Sequence, residues 1–400
     1  MNKIFKVIWS KSKQCYVVVS EMAKNKTGKK KIVVASILAA LAIQTVGVID
    51  VAAAAGDQPS AAYANGTVAS GKTNGLAIGN ASNSGSNQSI AIGYFSEATA
   101  PEVTPAALPA TAVGAGAKAI GYSTVALGLS AQAKADSATA LGSKTSATGD
   151  KSVAVGISAA ATADSATALG SKTSATGDRT VAVGSDANAT GRYASAFGAD
   201  ASAVGNATAV GAKSIASQDA AVAVGTDSKA TGGYASALGA DATASNNDAT
   251  AFGHGTVASG ASSTALGSRA KAGSVAGVGI GMLANATNQY GVAIGGESSS
   301  TADNSIAIGR KSSVTGENGI AIGTFTTSKG ANGVAVGTNG TTAELGGVAV
   351  GQAAKSNKFY SVAMGMNVTA DGDNSVALGA NASSNSDGTI AIGSYGSTPT

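Results

Sequence analysis

From residue 76 onward, apolar and polar positions repeat in one short word: a β-branched or small residue, Ala, a large aliphatic residue or Phe, then Gly. The word occurs 23 times, and Gly79, Gly93, Gly128, Gly156, Gly184, Gly225, Gly267, Gly309, Gly351 and Gly393 are ten of its closing glycines. Almost every step is 14 residues; the exceptions are 21 (Gly93 to Gly114) and 13 (Gly198 to Gly211). A fixed short period marks a solenoid. Side chains alternate between the two faces of a strand, so Val153 and Val155 share one face while Ser152, Ala154 and Gly156 share the other. A second strand follows, with small residues three and five after the glycine (Thr145 and Ala147, Ala159 and Ala161, Thr173 and Ala175). Gly149, Gly177, Gly191, Gly232, Gly260 and Gly316 stand seven after it, where a turn with positive φ is expected. Each coil therefore predicts strand, turn, strand, turn: an all-β, parallel β-solenoid of 14-residue coils. A helix is excluded by the period of two within each strand and by the regular glycines.

In this pattern the large residue is expected to point inward against small ones. Two aliphatic side chains are a small apolar gain for ordering 14 residues, so the coil needs a second buried surface. The Ala/Ser/Gly face is flat enough for another chain to approach closely, and it predicts an oligomer. Equivalent positions stack about 4.8 Å apart, so 23 coils form a rod of roughly 110 Å.

Composition limits the core further. The chain has 55 Gly, 4% aromatic and 12% charged residues, against roughly 25% charged in an average soluble protein. Net charge is +4, but residues 1–55 hold nine of the 26 Lys and Arg and two of the 22 acids. That leaves 17 basic and 20 acidic residues in the body, with no basic stripe for phosphates, so nucleic acid is not an expected partner. The single cysteine, Cys15, and the single tryptophan, Trp9, lie near the N-terminus, so the body has no disulfide to rely on.

Residues 32–49 are an apolar run preceded by Lys29, Lys30 and Lys31 and followed by a small-residue stretch. This order reads as a secretion leader over 1–55, with a Lys-rich n-region 1–31, an apolar core 32–49 and cleavage near Ala53 to Ala55. Residues 56–75 open the mature chain, and the repeats occupy 76–400. The segment Met1 to Ser10 with Val17 to Glu21 resembles the extended signal peptide region of large autotransporters, which implies a Gram-negative envelope and export through the inner membrane.

The repeat word also carries a resemblance. Asp303 to Gly309 (DNSIAIG) and Gly372 to Gly379 (GDNSVALG) are similar to the head repeats of trimeric autotransporter adhesins of the YadA-like type, over about residues 66–398. The resemblance implies a left-handed parallel β-roll in each chain, a homotrimer, and a cell-surface head that binds host matrix proteins or other bacterial surfaces. Asn304, Ser305, Ile306, Ala307, Ile308, Gly309 and Ser312 match the family's collagen-associated word, with Ile306 in place of Val. Neck, stalk and a C-terminal membrane anchor are not part of this sequence, so anchoring is expected only through such a domain in a longer product.

Candidate chemistry is sparse. His254 is the only histidine and the repeat places no acidic partner for it, which gives no basis for zinc or for general-base chemistry. Asp136, Asp150, Asp164, Asp178, Asp219, Asp303, Asp373 and Asp387 all fall six before a motif glycine. The Gly-Gly-x-Gly-x-Asp calcium word is absent, so these acids are expected to cap their own turns rather than hold metal. The glycines of 277–281 replace small residues of the strand word and form no phosphate loop. The long step after Gly93 contains Pro101, Pro105 and Pro109 and predicts a loop insertion at about 94–110, with Tyr94 and Phe95 as possible contacts. No catalytic residue, metal or cofactor is expected, and the chain is not expected to be an enzyme. A multivalent adhesin head fits best; an ice- or lattice-binding solenoid and a plain surface spacer are the alternatives. A lattice binder needs a continuous Thr ladder, which the column three before the glycine does not supply.

Overall fold

The computed structural model describes the backbone of residues 5–10, 15–20, 61–63, 67–68, 74–101 and 109–393, and side chains within 74–101 and 109–393. The cleavage region at 53–55 lies outside the described residues. Near the N-terminus, strands Phe5–Ser10 and Cys15–Ser20 pair antiparallel, with Phe5 opposite Ser20 and Ser10 opposite Cys15. All other described elements are strands of a parallel β-solenoid, in which three-residue and two-residue strands alternate.

Every strand pairs with its equivalent one coil away and never slips. Val153–Val155 lies between Thr139–Leu141 and Thr167–Leu169, with Ala154 opposite Ala140 and Ala168. The short strand Ser146–Ala147 lies between Gln132–Ala133 and Ala160–Ala161. Two parallel ladders thus run back to back along the stack. The 21-residue step does not break them, because Glu97–Thr99 pairs directly with Lys118–Ile120. The expected insertion is therefore narrower than 94–110. Tyr94 and Phe95 sit on a regular turn, and the extra chain falls between Thr99 and Thr111, with 102–108 outside the described residues.

The interior is the reverse of what side-chain size suggests. Ala154 is fully buried, whereas Val153 and Val155 are only half-buried and face out. The same holds along the array: the alanine two before each glycine is enclosed, and its aliphatic neighbours line the outer face. Four inward positions per coil, at −4, −2, +3 and +5 from the motif glycine, carry Ala, Ser, Thr or Gly almost throughout. The two short sheets of a 14-residue coil lie too close together for facing rows of Val or Ile. The Ala/Ser/Gly face is therefore the core, and it is not free to receive another chain.

Packing inside the coil is compensatory. Val314 and Val368 are the largest fully buried side chains, and facing Val314 is Gly319, where an added Cβ would stand 2.7 Å from Val314 Cγ1 and 2.8 Å from Gly316 O. Where both positions are serine, they bond to each other: Ser84 and Ser89 Oγ are 2.8 Å apart, and Ser356 and Ser361 2.7 Å. Other buried hydroxyls turn back on turn carbonyls three residues earlier, as Ser96 does on Gly93 O (2.9 Å) and Thr180 on Gly177 O (2.6 Å). Polar groups so satisfied cost little to bury.

The turns explain the glycines. Gly79 has φ +126°, and a Cβ there would lie 2.7 Å from Gly93 O in the next coil. The ten motif glycines named above have φ between +122° and +141°. The glycines at plus seven, expected to have positive φ, do not; a Cβ on Gly149 would collide with the Ala163 carbonyl of the next coil. Left-handed backbone falls instead on the third residue of each turn, which is often not glycine: Lys144 (φ 56°), Lys151 (57°) and Leu283 (58°) are examples. Each is held by an inter-coil bond, such as Lys144 N to Leu129 O (2.8 Å) and Leu283 N to Ser268 O (2.9 Å). The local cost of about 1–2 kcal/mol for an L-residue in this region is offset by that bond.

Two stability changes follow. Leu283→Asn keeps the bond and suits the backbone better, so urea unfolding should show a gain of about 1 kcal/mol. Gly319→Ala should cost about 1–3 kcal/mol by overpacking. In a Val314→Ala background that penalty should fall by at least about 0.5 kcal/mol, as read from a double-mutant cycle.

Candidate functional site

The outer surface has four repeating parts: the aliphatic face of the long strand, the polar face of the short strand, and two turn edges. On the first, positions −3 and −1 form two adjacent columns. Phe252 is 51% exposed and Met364 45%, and Leu266 is also exposed; Ile306 and Ile308 are half-buried on the same strip. The −1 column is Leu, Ile, Val, Phe or Met in every coil, whereas the −3 column is Thr or Ser in eight of the 23, among them Thr139, Thr250 and Thr264.

The collagen-associated word divides between inside and outside. Ser305, Ala307 and Ser312 are fully buried. Ser305 Oγ donates to Ala302 O (2.6 Å) and Ser312 Oγ to Gly309 O (2.9 Å), so these three hold the coil together. Gly309 forms the tight corner with φ +125°. Asn304, at φ 53° on a turn, and Ile306 and Ile308 on the strip are the outward members. Tyr94 and Phe95 are more than half exposed, and their rings meet edge to face at 4.4 Å on one regular turn.

Six of the eight aspartates six before the glycine bond to the preceding coil rather than to their own turn. Asp136 Oδ1 accepts from Tyr122 N (2.9 Å), Asp303 Oδ1 from Gln289 N (3.1 Å) and Asp387 Oδ1 from Asp373 N (2.8 Å). Each donor lies one coil earlier, so these carboxylates tie neighbouring turns together. Asn247 serves the same purpose for Gly233 N (3.0 Å), which shows that the oxygen rather than the charge is needed. Among the described residues no group of three or more His, Cys, Asp or Glu could hold a metal ion. His254 does have an acidic neighbour, contrary to expectation: Asp241 Oδ2 of the preceding coil lies 3.7 Å from its Nε2, with both side chains largely exposed. The repeat hid this contact because the two residues occupy different positions of the word, +1 and +2, in successive coils.

Known proteins resemble both parts of the chain. Residues 1–48 match the Extended Signal Peptide of Type V secretion system. The YadA head domain repeat matches at 70–96, 109–128, 119–145, 147–173, 175–201, 205–228, 230–256, 244–270, 258–274, 286–312, 315–339 and 370–395, more than half of the chain. No curated protein matches. The solved collagen-binding domain of the Yersinia adhesin YadA is 26% identical, over 48% of this chain and 80% of that one, with a TM-score of 0.21. That score adds nothing to the solenoid described above, and the family rests on the repeats and the leader. With head repeats along most of its length behind a type V secretion leader, the chain belongs to the YadA-like trimeric autotransporter adhesins and is an exported, surface-exposed protein of adhesin type.

Proposed function

We propose that the chain is the non-catalytic head of a homotrimer that attaches bacteria to host matrix protein or to other cells. The observation that carries this reading is the outward column at −1, which is apolar in every coil along the stack. An unbroken apolar row of this length is costly to leave in water on an exported protein. It runs straight along the stack, so parallel copies of the same chain can bury it in register against one another. Three copies would place the strips around a common axis and leave the polar short-strand face and the turn edges outside. Asn304 is then the member of its collagen-associated word best placed for contact, since it stands on a turn outside the strip.

Repetition supplies the mechanism of attachment. Weak contacts made by many near-identical turns, on each of three chains, combine into avidity without any deep pocket. The outer membrane is the expected site of display.

Light scattering on the purified chain should give three times the single-chain mass, independent of concentration. Replacing Phe252 and Leu266 together by Asp puts charge on the strip and should reduce that mass toward one chain. A wild-type monomer with an intact solenoid would overturn the trimer. Attachment to collagen-coated wells should survive in Asn304→Gln but fall severalfold in Asn304→Ala, and an unchanged signal in both would remove this turn from the binding surface.

A further inference from the structure

One turn edge differs from the rest of the array. At the second and third turn residues after the short strand, six and five before the motif glycine, Lys or Arg occurs in only three places: Lys151, Arg179 and Arg192. They fall within four successive coils, where the turns also carry Asp150, Asp164 and Asp178. Together with Ser165 these side chains line a groove of about 280 Å³. The sequence shows how it arose: residues 135–150 and 163–178 are identical, and a cation follows each copy, Lys151 after one and Arg179 after the other.

The charges in the groove are not spent on each other. Four ion pairs form among the described residues, and none involves Lys151, Arg179 or Arg192. The two arginines are instead held by Tyr193. Arg179 Nη1 donates to Tyr193 Oη (2.8 Å), its Cζ lies 5.6 Å from the ring centroid, and the Cζ of Arg192 lies 4.9 Å from the same centroid. One aromatic ring therefore keeps two guanidinium groups side by side. Of the acids, Asp164 uses Oδ1 on Asp150 N (3.1 Å), and its other oxygen remains available.

We propose that this groove binds an acidic saccharide, with the sugar carboxylate on Arg179 and Arg192 and ring hydroxyls donating to the aspartates. Paired guanidinium forks match the geometry of a carboxylate. The interleaved aspartates argue against a plain polyanion such as polyphosphate, which they would repel. They suit a ligand that carries hydroxyl donors as well as a negative charge. Lys151, two coils from Arg179 or about 9.6 Å along the stack, offers a second cation to a longer chain of alternating acidic and neutral sugars. Tyr193 is a positioning residue that aligns the arginines. The assignment deepens the adhesin reading by naming a ligand class for one edge, and it rests on that reading for its biological sense.

The test is calorimetric titration of the full chain with a tetrasaccharide of alternating glucuronate and N-acetylglucosamine, beside its carboxyl-reduced counterpart. Binding should be saturable for the acid and at least tenfold weaker for the reduced sugar. Arg179→Ala and Arg192→Ala should each weaken it tenfold or more, with the thermal unfolding curve unchanged. Tyr193→Phe, which keeps the ring and loses the hydroxyl, should weaken it severalfold, and Lys329→Ala, on a distant coil, should leave it unchanged. Equal binding of the reduced sugar, full competition by inorganic polyphosphate, or retained affinity in Arg179→Ala/Arg192→Ala would overturn the proposal, as would no binding at all. The same variants on collagen-coated wells separate the two readings. Attachment without saccharide binding rejects the groove alone, and saccharide binding without wild-type attachment rejects the matrix ligand alone.

Discussion

Each residue of the solenoid stands one strand spacing from its equivalent in the next coil, and this stacking limits what every position can hold. The motif glycines are glycine because the carbonyl of the next motif glycine lies where their Cβ would be. The plus-seven glycines meet the same obstacle without any unusual φ, so closeness rather than flexibility selects them. Inward positions are confined to methyl- and hydroxyl-sized groups by the opposite ladder. Where Val314 exceeds that size, Gly319 yields the space. The aspartate ladder follows too, because a side chain at a fixed turn position reaches the turn before it more readily than its own backbone.

A core made of alanine cannot by itself supply much apolar burial, since each methyl removes little area from water. Regular hydrogen bonding between coils does more of the work here than in a globular domain, and the turns show it by holding Lys, Leu and Tyr in left-handed backbone that would be unfavourable in isolation. The aliphatic residues, the largest source of hydrophobic stabilisation in the chain, lie on the outside. In the proposed homotrimer, stability and assembly would be coupled, since the surface left over by each coil is the one another copy would cover.

The same economy concentrates sequence variation at the edges, because the stacking leaves the outward side chains of the turns free to vary. Where the turns differ from the array average, as at Lys151, Arg179, Arg192 and Tyr193, the difference is set against an otherwise uniform background. The edge-to-face pair of Tyr94 and Phe95 is a second such departure, on a turn just before the extra chain of the long step.

The sequence by itself determined the period, the strand and turn positions and the register, because each is written as a recurring residue at a fixed spacing, and the secretion leader, because a Lys-rich stretch precedes a long apolar run. It also showed that Val153 and Val155 share a face opposite Ala154. It did not show which face is inside, since alternation is symmetric and size alone favours the larger residues. Only the closed coil decided that: two sheets joined by three-residue turns leave room for Ala154 and not for its neighbours. The invariance of alanine at that position was the available signal, because an exposed site does not demand one small residue in nearly every copy. The tertiary structure likewise decided that Ser305, Ala307 and Ser312 are interior while Asn304 is not. It alone brought Asp241 to His254 and Tyr193 beneath two arginines, because those contacts cross between coils, where distance along the chain is 13 or 14 residues and distance in space is one strand.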